Sequence, residues 1–263
     1  MTFKKKLLLY YNKRIDAIID ALKREEAVYS MEQFHQIRVE IKKLHAFFDL
    51  LDASVKHFPA KKYFAPVKRI FKQLGTIREM QLEEAHLKEQ SKRTLLAVYL
   101  TWLRRQIKKE MDLFFEMKER ERKKIKNYGS KAFAYADQIK KKEAIDFIKK
   151  KGKKIAAILS KTGIDVSGIH SLRKRLKVYV YLLKGFKENA EAEEDKKLED
   201  FQDLLGKWHD SRVMAEHFTQ LPEEAGLNSI TKHQLNLLAK KLVANSQRLQ
   251  KQISSDMRKI EWK

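Results

Sequence analysis

The stretch "FHQIRVEIKKLHAFFDLL", residues 34–51, decides the fold. Phe34, Ile37, Ile41, Leu44, Phe48 and Leu51 recur at alternating steps of three and four, the spacing of an apolar seam along an α-helix. His35, Arg38, Lys42 and His45 follow that seam one position behind. One residue is about 100° of helix rotation, so this basic stripe borders the core instead of lying opposite it. Its side-chain stems are expected against apolar neighbours, with partial loss of water. Cations in such a place are costly unless carboxylates or an external anion meet them. The local acids, Glu40 and Asp49, are too few and mostly off the stripe.

A second copy of the stretch strengthens the case for an anion. "IHSLRKRLKVYVYLLKGF" (169–186) repeats the His, Arg and Lys in register as His170, Arg173 and Lys177. Its expected seam is Ile169, Leu172, Leu176, Tyr179, Leu183 and Phe186. Further on, "LGTIREMQL" (74–82) matches "LGKWHDSRV" (205–213), in the same order and with gaps that differ by four residues. Two ordered matches imply an internal duplication, with four helices in each half and a seam near residue 128. The expected division is 1–127 and 128–263.

The rest of the chain reads as helix. Three prolines and eight glycines fall between long patterns of period 3.5 to 3.6, and no strand alternation interrupts them, so the fold class is all-α. Helices are expected near 3–27, 30–53, 60–89, 92–126, 130–161, 167–188, 194–220 and 227–260. The breaks between them fall at Pro59, "NYGS" (127–130), "SKTGIDVSG" (160–168) and "LPEEAG" (221–226). Ser167 is the expected N-cap of the sixth helix.

Composition narrows the function classes. Among 263 residues, 58 Lys and Arg oppose 35 Asp and Glu, a formal net charge of +23. Such an imbalance repels itself on folding and points to a polyanionic partner. A hydrophobic share of 43%, with strong periodicity, argues against a disordered basic tail. The absence of cysteine excludes disulfides, thiolate zinc sites and thiol catalysis, and fits a reducing compartment. "KKKLLLYY" (4–11) imitates a signal peptide, but its apolar run is too short and no small-residue cleavage site follows. The expected location is therefore the cytoplasm.

The pattern His-x-x-Arg-x-x-x-Lys, followed about forty residues later by Leu-Gly-x-x-[Arg/His]-[Asp/Glu], and all of it twice, resembles the CHAD domain, the conserved histidine α-helical domain. The resemblance covers essentially the whole chain, and its specificity lies in the doubled order of the motifs. It implies two four-helix bundles related by a pseudo-twofold, with basic residues lining a shared cavity. It also implies binding of inorganic polyphosphate and localisation at polyphosphate granules. Some members of the family are fused to a CYTH triphosphatase; with no room for a second domain, this chain is expected to be a stand-alone member.

Transferred by motif position, the expected anion-binding residues are His35, Arg38, Lys42, Lys43, His45 and Arg78 in the first copy. In the second they are His170, Arg173, Lys174, Lys177, His209 and Arg212. The second copy departs from the pattern at Val180, which stands where the first has His45. In the Leu-Gly motif the family favours Asp, which Asp210 keeps and Glu79 does not.

Elementary chemistry suits such a set to phosphate. Phosphate oxygens accept charge-assisted bonds of roughly 1.5–3 kcal/mol each, and arginine forks mixed with lysine point charges can follow a flexible polymer without one fixed register. A nearby polyanion favours the doubly donating form of histidine. The motif glycines are expected to permit close helix packing, and their acids to orient a neighbouring basic side chain.

Catalysis is not expected. "KKGKK" (150–154) lacks Walker spacing, and no paired carboxylates accompany His35 or His170 at metal-binding spacing. The pair His209–Asp210 and the group His86, Glu83 and Glu84 read as surface or packing residues. The arginines and lysines beside the motif histidines repel metal cations, so neither metal nor cofactor is expected. The rival partner is DNA or RNA, held electrostatically and without sequence preference. Against it, Trp102, Trp208 and Trp262 read as core or helix contacts, and "IKKKEAIDFIKKKGKK" (139–154) reads as a solvated face.

Overall fold

Capping and apolar periodicity set the helices. The structure, a computed structural model, describes residues 2–161, 163–186 and 192–260, and for 186 and 192–195 the backbone alone. The described residues form α1 (Phe3–Lys23), α2 (Met31–Ser54), α3 (Ala60–Lys88), α4 (Ala97–Ala136), α5 (Lys141–Leu159), α6 (Val166–Phe186), α7 (Ala192–Thr219) and α8 (Ser229–Met257), with short 3-10 turns and no strands. Ser30 caps α2 by accepting from the Gln33 amide at 3.3 Å, and Asn228 caps α8 by accepting from the Thr231 amide at 2.8 Å. Each side-chain oxygen satisfies one of the donors that a helix leaves unpaired at its start. For α6 the cap is Asp165, not the expected Ser167. The Asp165 carboxylate accepts from the Gly168 amide at 2.7 Å, where its negative charge also meets the positive end of the helix dipole.

The expected break at "NYGS" is absent. The helix α4 runs unbroken for 40 residues through Asn127, Tyr128, Gly129 and Ser130, and α5 begins only at Lys141. Gly129 stays helical because α1 packs on it. The Tyr11 hydroxyl donates to the Gly129 carbonyl at 2.8 Å, and a Cβ at Gly129 would lie 3.3 Å from the Ile15 side chain. The glycine signal thus marks a close helix approach, not a helix end. The expected seam near residue 128 lies inside this helix.

Two compact units divide the chain. The first comprises 1–78, 111–156 and 174–191, and the second 79–110, 157–173 and 192–263. They are built from alternating stretches because α3, α4, α5 and α6 each contribute to both. In the first unit, Leu7, Tyr11, Ile18, Phe34, Ile41, Leu44, Phe47, Ile70, Leu74 and Phe114 are part of one buried cluster. Tyr11 packs on Phe47 with ring centroids 5.1 Å apart, and Phe34 meets Phe114 edge to face at 5.6 Å. In the second unit α7 and α8 lie side by side, with Trp208, Phe218, Leu235 and Ile253 fully buried.

The first apolar seam is buried at all six positions. The second is buried at Ile169, Leu172 and Leu176, but Tyr179 and Leu183 are half-exposed and Val180 and Leu182 are buried instead. The change follows Lys174, where α6 passes into the first unit. There Leu182 joins that unit's core while Val178 and Tyr181 pack against it. The run "VYVYLL" is apolar on several faces and cannot fix a single period. Phe186, the last expected seam residue, has no described side chain, and Trp262 lies outside the described residues.

Candidate functional site

Burial of the α2 seam puts the first basic stripe at the core edge. His35, Arg38 and Lys42 are half-buried; His45, near the far end, is exposed and rests its ring against Phe64 at 4.8 Å. Arg78, on α3, joins them, and its charge, with those of Lys42 and Arg38, lowers the proton affinity of His35. Burial is the larger cause, and Glu32 opposes it. His35 is therefore held below the usual histidine range by its desolvation and by a predominantly cationic neighbourhood.

The two local acids are engaged on the flank of the stripe. Glu40 accepts from Arg14 at 2.5 Å and from Lys43 at 2.7 Å, so Lys43 already has a carboxylate partner. Asp49 lies 3.5 Å from Lys151. Arg38 is fixed differently. Its Nη1 donates to the Phe71 carbonyl at 2.8 Å, and its guanidinium carbon lies 4.3 Å from the centre of the Phe71 ring.

The second unit gathers the other motif residues around an indole. The His170 ring meets Trp208 edge to face at 4.8 Å and His209 at 5.3 Å. Trp208 is fully buried, and its Nε1–H finds no acceptor among the described residues. The Arg212 guanidinium lies over the same indole at 5.6 Å and reaches Glu216 at 3.5 Å. Arg173 is half-buried. On the continuation of α6, Lys177 is half-buried and Lys174 exposed.

Other expectations fare unevenly. The two motif glycines differ. The three atoms nearest a Cβ at Gly75 all belong to Arg38, and a Cβ at Gly206 would meet nothing within 4 Å among the described residues. Glu79 and Asp210 are both exposed. In the lysine-rich run Lys149, Lys150, Lys153 and Lys154 are exposed, whereas Lys151 folds over the Phe147 ring at 4.9 Å. Trp102 is a helix contact, stacked on Tyr99 at 5.4 Å.

Glu83, expected at the surface or in packing, is a buried acid of the second unit. It accepts from the Tyr99 hydroxyl at 2.5 Å and pairs with His217 Nδ1 at 3.1 Å. That hydrogen bond raises the proton affinity of His217 against the opposing effect of burial. The partner lies 134 residues away along the chain, beyond the reach of local spacing. The apolar neighbours at 82 and 87 were the available sign that this acid faces inward.

Among the described residues no helix is long and apolar enough to cross a membrane. A family model for the CHAD domain matches residues 13–219. The fold is similar to the crystal structure of the CHAD domain from the plant Ricinus communis, with a TM-score of 0.77 at 15% identity, covering 100% of this chain and 93% of that one. It is also similar to PptA from Streptomyces chartreusis, with a TM-score of 0.66 at 12% identity, covering 96% of this chain and 98% of that one. A comparison with curated proteins found no match. The two structural likenesses show the fold, and the family match spans well over half of the sequence: the chain belongs to the CHAD domain family.

Proposed function

We propose that this protein binds inorganic polyphosphate without chemically altering it, through its two histidine–arginine–lysine stripes. The observation that supports this most is the convergence of His35, Arg38, Lys42 and Arg78 in one unit, where burial and three cationic side chains disfavour a proton on the fourth group. A field of that sign at a half-buried edge favours an incoming anion. His170, Arg173, His209 and Arg212, all in the second unit, carry the second copy of the motifs. Membership of a family associated with polyphosphate supports the choice of polymer. On this reading the protein resides in the cytoplasm, at polyphosphate granules.

The test is a direct competition between long-chain polyphosphate and duplex DNA at equal phosphate concentration and fixed salt. Polyphosphate should displace DNA, and raising the salt should weaken both, because phosphate binding releases condensed counterions. Equal affinity for the two polymers at matched salt would overturn the polyphosphate reading in favour of unspecific nucleic-acid binding.

A further inference from the structure

We propose that Gly75 is a positioning residue: its missing side chain is the seat on which α3 holds the Arg38 guanidinium for anion binding. The inference rests on the polyphosphate-site reading above. A Cβ at Gly75 would lie 2.6 Å from Arg38 Nη1, 3.5 Å from Cζ and 3.7 Å from Nη2. The same Nη1 donates to the Phe71 carbonyl at 2.8 Å, and the Phe71 ring lies beneath the guanidinium at 4.3 Å. Phe71 and Gly75 are four residues apart, one turn on the same face of α3. Ring, carbonyl and bare Cα therefore make a three-point seat for a planar cation brought in from α2. Such fixation reduces the freedom a long side chain loses when it meets a ligand.

An alanine at Gly75 would displace the far end of a flexible side chain, not a helix backbone. The substitution should move the guanidinium while leaving the net charge and α3 intact. Gly206, at the same place in the second motif, has nothing within 4 Å of its would-be Cβ among the described residues. Gly206→Ala is thus the matched control.

Binding of long-chain polyphosphate by calorimetry at fixed salt, with thermal melts of the unliganded proteins, tests the inference. The variants are Gly75→Ala, Arg38→Ala, their double variant and Gly206→Ala. Gly75→Ala should weaken binding roughly five- to tenfold, part of the effect of one charge-assisted bond, and should add nothing once Arg38 is alanine. Gly206→Ala should bind like the wild type. Alanine is the better helix former, so Gly75→Ala should raise the melting temperature more in the Arg38→Ala background than in the wild type. Unimpaired binding by Gly75→Ala while Arg38→Ala is impaired, or the same loss in both backgrounds, would overturn the proposal. If Arg38→Ala binds like the wild type, the anion-site reading fails and the binding role of Gly75 with it. Coupling in the melts would then show that the seat exists as a packing feature.

Discussion

His35 sits among Arg78, Lys42 and Arg38, with Glu32 the opposing acid, and both burial and the cations keep its proton affinity low. In the free protein this favours the neutral imidazole. A bound polyanion reverses the local field and favours the imidazolium, so the complex takes up a proton that the free protein does not hold. By linkage, affinity for polyphosphate should rise as pH falls from 8 towards 6. His35→Gln should weaken that dependence while retaining most of the binding at pH 8. Titration calorimetry in buffers of different ionisation enthalpy reads the proton uptake directly; an affinity in the wild type that is independent of pH across this range would contradict it.

Glu83 shows at the same scale what sequence spacing hides. Beside His86 and Glu84 it has the composition of a surface cluster, yet it is buried and bonded to Tyr99 and His217. Arg38 was legible as a cation at the core edge, because one residue of helix phase places it there. Its seat on Gly75 and Phe71 was not, because that contact joins residues more than thirty positions apart on different helices.

At the level of the helices, local chemistry was legible where it acts alone and misleading where a distant contact overrides it. The apolar period of α2 and the loop around Pro59 stand as read. "NYGS" does not, since Tyr11 and Ile15 pack against Gly129 within a continuous α4. Earlier on α4, the fully buried Glu121 accepts from Arg69 at 2.5 and 3.0 Å and from Arg120 at 3.0 Å. Burial pushes its proton affinity up, but Arg69 and Arg120 outweigh that and hold it below the usual carboxylate range. Met117 and Ile125, one turn before and after it, place this acid on the apolar face of α4, but its partner Arg69 lies 52 residues away and beyond the reach of local spacing.

The connection between α2 and α3 contains His57 at φ 60°, the left-handed region that favours glycine. The next residue, Phe58, is anchored against Phe48 at 5.5 Å, which holds the turn in place. His57 itself is exposed, so removing its side chain exposes no core. His57→Gly should stabilise the protein by about 1 kcal/mol, the relief of the Cβ strain less the added freedom of the unfolded chain. Chemical denaturation midpoints measure it, and a lower midpoint at unchanged slope would contradict the account.

For the whole molecule the central claim is that two ordered stripes, and not a net charge of +23, hold the polyanion. The division into units from alternating stretches was not legible, because the core that each part of a helix joins is set by contacts distant in sequence. The structure does supply a well-matched control for the claim: Lys153 and Lys154 are exposed on α5, whereas Lys151 is tied to Asp49 and Phe147.

The decisive measurement compares polyphosphate affinity at one salt concentration for Arg38→Ala/Arg173→Ala and for Lys153→Ala/Lys154→Ala, with folding of both checked by circular dichroism. Each pair removes two charges from +23. If each arginine contributes roughly 1.5–3 kcal/mol through charge-assisted bonds, the arginine pair should lose orders of magnitude in affinity and the lysine pair a small factor. Equal losses in two folded variants would contradict the account and leave a diffuse basic surface in place of a site.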